Sequence, residues 1–144
     1  MILGIRHTGI VVTDMETSLH FYRDLLGLKV WQEAVEQGSY IDSVTGLNGV
    51  RLQWVKLKAP DGGLVELLQY HSHPRARVSE MSSADIGCSH VAFTIAEYND
   101  AYQKLRAAGI TFNSAPMTSP NGKARVAYCH DPDGTIIELV EELR

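Results

Sequence analysis

Short apolar runs and polar breaks alternate along this chain, and the same succession occurs twice. Arg6-His7-Thr8-Gly9-Ile10-Val11-Val12 and Ser89-His90-Val91-Ala92-Phe93-Thr94-Ile95 are rich in β-formers, each with a histidine in second place, and each predicts a strand. Apolar residues at helical spacing follow: Leu19, Tyr22, Leu25 and Leu26 within residues 15–26, then Tyr98, Ala101, Leu105 and Ala108 within residues 97–108. Thr13-Asp14-Met15-Glu16 fits a capping box, with Thr13 accepting from the first turn and Glu16 reaching back. Gly27 and Gly109 supply the left-handed residue that ends each helix, and Leu28-Lys29-Val30 and Ile110-Thr111-Phe112 resume extended chain. Partial alternation over residues 50–57 predicts a strand with Arg51 and Gln53 facing away from Leu52 and Trp54. Pro60-Asp61-Gly62-Gly63 and Asp131-Pro132-Asp133-Gly134 are turn sequences. Each leads into an apolar strand with a glutamate at its centre: Leu64-Val65-Glu66-Leu67-Leu68 and Ile136-Ile137-Glu138-Leu139-Val140.

The two halves are in register. From histidine to helix-ending glycine is 20 residues in the first half and 19 in the second. From histidine to glutamate is 59 and 48 residues, so the first half carries about eleven more. Residues 36–49, rich in Gly, Ser, Thr and Asn, are where the extra residues belong. The pattern predicts an α+β fold of two tandem βαβββ modules, about residues 1–75 and 86–144. A polar linker of about residues 74–85 joins them into a single domain over residues 1–144.

Composition narrows the function. With 44% apolar and 21% charged residues the chain is ordinary globular material. Thirteen basic against seventeen acidic residues give a net charge of −4, which argues against binding nucleic acid by phosphate neutralisation. No apolar run is long enough to span a bilayer, and the start has no secretory pattern. Two cysteines, Cys88 and Cys129, make no disulfide framework and suit a reducing compartment. A cytoplasmic protein acting on a small molecule, with no nucleic acid or membrane partner, is the expectation.

A glutamate inside an apolar strand is costly unless it is paired, protonated or bound to a cation. Here that happens twice at matching places, and His7 and His90 also match. A lone strand histidine is ordinarily a satisfied core residue, but four such residues in register would require four independent accidents. Pseudosymmetric modules would bring His7, Glu66, His90 and Glu138 together, and two imidazoles with two carboxylates suit a divalent first-row ion. Zn, Ni, Co, Mn and Fe all fit such a donor set. His20 and His71 read as surface residues, His73 as part of the linker, Tyr22 and Trp54 as core, and Cys88 as a small buried hydrophobe. Arg51, Lys56, Lys123 and Arg125, taken singly, read as solvated charges.

At these residues the chain resembles the vicinal oxygen chelate superfamily, which includes glyoxalase I, methylmalonyl-CoA epimerase, extradiol dioxygenases and the bleomycin and fosfomycin resistance proteins. The resemblance covers nearly the whole chain. It rests on His7-Thr8-Gly9-Ile10, on Ser18-Leu19-His20-Phe21-Tyr22 through Leu26-Gly27-Leu28, and on Val65-Glu66-Leu67. In the second half it rests on Ser89-His90-Val91-Ala92 and on Asp131-Pro132-Asp133-Gly134 through Ile137-Glu138-Leu139. It implies paired modules whose mixed sheets curl around a metal site, with the four metal positions at His7, Glu66, His90 and Glu138. It also implies a homodimer, which would bury sheet edges.

The resemblance further implies chelation of a substrate through two neighbouring oxygens, with stabilisation of an enolate or other oxyanion. In the glyoxalase I and epimerase type a carboxylate beside the metal moves the proton on the carbon α to the carbonyl, and Glu138 and Glu66 are the candidates. Val11 and Tyr70 stand where bacterial glyoxalase I carries an arginine and an asparagine that contact glutathione. On residues 50–57, where the epimerase has a second catalytic glutamate, the chain offers only Gln53. The dioxygenases imply His7, His90 and Glu138 on Fe(II), with Tyr128 matching a catalytic tyrosine. A metal-dependent lyase or isomerase is the leading expectation, with an extradiol-type dioxygenase, an epimerase and a resistance-type binding or modifying protein as alternatives.

Overall fold

The computed structural model describes residues 1–76, 81–87 and 90–144. Part of the expected linker and Cys88 lie outside the described residues. The chain divides into two compact units, Met1–Arg77 and Val78–Arg144.

In the first unit, strand β1 (Thr8–Val11) leads into helix α1 (Met15–Leu19), which continues as a π-helical segment, His20–Leu25. Strands β2 (Lys29–Gln37), β3 (Arg51–Lys58) and β4 (Leu64–Tyr70) follow, with helix α2 (Ser39–Thr45) between β2 and β3. The sheet order is β1-β4-β3-β2, with β1 parallel to β4 and the other pairs antiparallel. The second unit repeats this order. Strand β5 (His90–Thr94), helix α3 (Tyr98–Ala107), and strands β6 (Met117–Thr118), β7 (Ala124–His130) and β8 (Ile136–Glu142) give β5-β8-β7-β6, with β5 parallel to β8. The expected pair of βαβββ modules is thus present.

Three local expectations are corrected. The first helix is capped by Asp14 rather than Thr13: Asp14 is extended, and its Oδ1 accepts from the Thr17 N–H at 2.8 Å. That hydrogen bond holds the Asp14 carboxyl below its ordinary pKa. The same helix does not run regularly through residues 15–26. Its second half is π-wound, with the Leu26 N–H donating to the Phe21 carbonyl at 3.0 Å, and both Phe21 and Tyr22 are buried, edge to face. The extra residues of the first module fall in the expected stretch of residues 36–49 and are structured there. They lengthen β2 and form α2, whose Ile41 packs with Val50 and Leu52 and against Leu47, Trp54, Leu68 and Tyr70. Asp42 closes this insertion by accepting from the Gly49 and Val50 N–H groups at 2.9 and 2.8 Å. Finally, the apolar stripe of α3 ends at Leu105, and Ala108 is exposed.

Strand alternation sorts the residues of each sheet. One face carries the core: Val55, Leu57, Val65 and Leu67 in the first unit, and Ala127, Cys129, Ile137 and Leu139 in the second, all buried. Leu67 and Leu139 have no exposed surface. Leu67→Ala and Leu139→Ala should each destabilise their unit by about 2–5 kcal/mol, read as a lower urea midpoint. Cys129 is likewise fully buried, and burial pushes its thiol up to about 12. Since the thiolate is the nucleophile, iodoacetamide at pH 8 should leave Cys129 unmodified in the native protein and alkylate it in urea, as read by peptide mass spectrometry.

Candidate metal centre

The face opposite the core carries the expected ligands. In the parallel pair Gly9 lies beside Glu66, and His7, two residues before Gly9, shares that face. His7 Nε2 is 2.9 Å from Glu66 Oε2, and both side chains are largely buried. A Cβ on Gly9 would come within 3.3 Å of Leu68 Cδ1, so glycine keeps the ground between His7 and Val11 uncrowded. His7 Nδ1 is buried without a hydrogen-bond partner among the described residues. The ring is therefore oriented through Nε2, the nitrogen that meets the carboxylate.

The second unit reproduces this arrangement. His90 opens β5, Ala92 pairs with Glu138, and His90 Nε2 is 3.1 Å from Glu138 Oε2. Tyr128 stands directly across from Glu138 on β7, and its ring centre is 5.2 Å from that of His90 at 34°. The structure thus brings His7 to Glu66, and His90 to both Glu138 and Tyr128. Among the described residues no three His, Cys, Asp or Glu side chains form one group in either unit.

The donors fit a divalent first-row ion. Each module offers one imidazole nitrogen and one carboxylate oxygen about a hydrogen bond apart, and across modules the same atoms are used, Nε2 and Oε2. Nothing in the set favours a hard all-oxygen ion.

Two residues read from sequence as bystanders belong to this face. Lys56 pairs with Glu66 across β3 and β4, its Nζ is 3.6 Å from Glu66 Oε1, and only 14% of its side chain is exposed. Trp54, which packs against the Ile41, Val50 and Leu52 cluster as a core residue would, also lies beside it: Lys56 Nζ sits 4.6 Å from the ring centre, and Trp54 Nε1 donates to Glu36 Oε1 at 2.9 Å. The signal was present in the alternation, since Lys56 falls on the side of Leu52 and Trp54. Arg125 is also more than a solvated charge: it lies 3.7 Å from Glu141 and donates to Asn99 Oδ1 at 3.0 Å. His20 is exposed against Asp24, as expected of a surface residue.

Known proteins share this architecture. The model of the Glyoxalase/Bleomycin resistance protein/Dioxygenase superfamily matches residues 4–139. The uncharacterized protein YwkD of Bacillus subtilis is 30% identical over 145 residues, 99% of each chain. A probable lactoylglutathione lyase of Synechocystis is 24% identical over 136 residues, 94% of this chain and 92% of that one. Among solved structures, a glyoxalase family protein of Bacillus cereus superposes with a TM-score of 0.91 at 23% identity, covering 100% of this chain and 97% of the other. A fosfomycin resistance protein of Listeria monocytogenes, complexed with Mn(II) and sulfate, superposes with a TM-score of 0.64 at 16% identity, covering 99% and 95%. No helix of the described residues is long and apolar enough to cross a membrane.

Proposed function

Because the chain belongs to the glyoxalase/bleomycin resistance protein/dioxygenase superfamily, we propose that it is a metal-dependent lyase or isomerase resembling glyoxalase I. The observation that carries this reading is the pair of matched contacts, His7 Nε2 to Glu66 Oε2 and His90 Nε2 to Glu138 Oε2. We assign all four side chains to one divalent ion, with Zn, Ni, Co, Mn or Fe as the metal. Divalent metals are common in the superfamily. An ion there would supply Lewis-acid stabilisation to two neighbouring oxygens of a small substrate.

The remaining work falls to the protein. Both Glu66 oxygens are engaged, Oε2 with His7 and Oε1 with Lys56, so Glu66 is cast chiefly as a ligand and only second as a base. Glu138 is then the carboxylate that moves the proton on the carbon α to the substrate carbonyl. Superfamily members bind small molecules and often form dimers. A homodimer is part of this proposal, and light scattering at micromolar concentration should return twice the chain mass. A cytoplasmic setting accords with Cys129 being a free, buried thiol.

One observation favours a second reading. Tyr128 stands against both His90 and Glu138, as an extradiol-type dioxygenase would use it beside His7, His90 and Glu138 on iron. Metal-loaded protein incubated in deuterium oxide with 2-oxoaldehyde–thiol adducts, acyl-CoA epimers, 2-oxo carboxylates and catechols separates the two. The leading reading expects deuterium at the α carbon without oxygen uptake. Oxygen uptake with a catechol and no exchange supports the dioxygenase instead.

A further inference from the structure

The two halves of the candidate centre differ in one respect. Glu66 and Glu138 hold matching places, as do His7 and His90, but the residue directly across from the glutamate is Lys56 in the first module and Tyr128 in the second. Where one module sets a phenol, the other sets an ammonium. That ammonium is 3.6 Å from Glu66 Oε1, and Lys56 and Glu66 are only 14% and 13% exposed. It rests 4.6 Å from the Trp54 ring centre, and the ring is itself tethered through Nε1 to Glu36. A solvated lysine would have neither the burial nor the aromatic seat.

Charge decides what this arrangement is for. An ammonium withdrawn from water needs an anion beside it. While Glu66 is free, Glu66 is that anion. A divalent ion at the same carboxylate would draw on the same negative charge, and a neutral histidine ligand brings none. Trp54 holds the ammonium in position without cancelling its charge. With Glu66 committed to a metal, the first module is left with a fixed, poorly hydrated positive charge at the edge of the centre.

We propose that Lys56 is a substrate-binding residue that receives a carboxylate of the substrate, which makes the substrates 2-oxo or 2-hydroxy carboxylates rather than neutral dicarbonyls or catechols. This rests on the metal-centre reading above and adds the substrate class to it. In this arrangement the substrate carboxylate supplies the anion that Glu66 no longer provides. Lys56 is then a specificity-determining side chain.

Cobalt(II)-loaded protein tests this, because its visible absorption reports on ligands arriving at the metal independently of turnover. Oxamate and oxamide are near-isosteric chelators that differ by one carboxylate, and titrating each into wild type, Lys56→Met and Lys56→Arg isolates the role of Lys56. The metal itself also attracts oxamate, so the decisive quantity is the change on substitution. With cobalt(II) saturating in every variant, Lys56→Met should weaken oxamate about 10–100-fold more than it weakens oxamide, the scale of a charge-assisted hydrogen bond. Lys56→Arg should keep most of the oxamate affinity. Lys56→Gln carries the same comparison if the methionine variant does not fold. Oxamate affinity unchanged in Lys56→Met overturns the proposal. So does a parallel loss of cobalt(II), oxamide and oxamate, which would make Lys56 only a support for Glu66. A chain that takes up no cobalt(II) overturns the metal-centre reading and this proposal with it, whereas uptake without a Lys56-dependent oxamate preference overturns this proposal alone.

Discussion

Glu138→Gln should lower kcat by about 10²–10⁴-fold, the usual contribution of a positioned general base, while the protein still binds metal. Glutamine keeps the side-chain shape and one oxygen donor, so the substitution removes basicity more than it removes a ligand. The structural ground is the face on which Glu138 stands: it lies on β8 with His90 at 3.1 Å and Tyr128 across the strand pair. Exchange of the substrate α proton for solvent deuterium, followed by proton NMR, should be rapid with wild type and absent with the variant. Glu66→Gln should reduce metal retention more than proton exchange, because Glu66 already meets both His7 and Lys56. If Glu138→Gln exchanges the proton at the wild-type rate, Glu138 is not the base. If the reaction consumes oxygen instead, Tyr128→Phe should be the damaging change and Glu66→Gln the tolerated one.

The second large effect is on metal affinity. His7→Ala and His90→Ala should each weaken binding of a divalent ion by more than about 100-fold, since loss of groups that merely orient metal ligands already costs roughly 10–100-fold. Each substitution also leaves its glutamate, held at 2.9 or 3.1 Å from the ring in the native protein, without its histidine neighbour. The two variants should behave alike, because the two modules place their histidines identically relative to the strand that bears the glutamate. Calorimetric titration of metal into chelator-stripped protein measures this. Wild-type affinity in both variants would remove the ligand assignment, and a loss in one alone would confine the site to a single module.

How much of this was legible in the sequence depended on repetition. The His–Glu pairs could be found because each element occurs twice at nearly the same spacing, and strand periodicity then put each glutamate on a definite face. The module order follows from the same repeat, whereas the parallel pairing of the first and last strands of each module is seen only in the structure. What occurs only once was harder to read. Helix α2 falls in the stretch present in one module alone, and its composition resembles loop until Ile41 is seen packing with Val50 and Leu52. The π-wound segment carries no sequence mark that separates it from an ordinary helix, and Tyr22 is buried in it as the helical spacing predicts. Thr13 and Asp14 are both good caps, and the choice between them turns on where the backbone becomes helical, which is set by how β1 ends. Lys56 was overlooked for a different reason. A single lysine in a strand is usually solvated, and its role becomes visible only when the partner strand places Glu66 directly opposite and Trp54 beneath its ammonium.

The metal content of protein purified without chelator tests most directly the proposal that His7, Glu66, His90 and Glu138 serve one ion. Elemental analysis against protein concentration should give about one divalent first-row metal per chain, falling to well below that after dialysis against a strong chelator and returning to one on reloading. A chain that neither carries such an ion as purified nor takes one up on reloading would contradict the claim, as would one that takes up two independent ions.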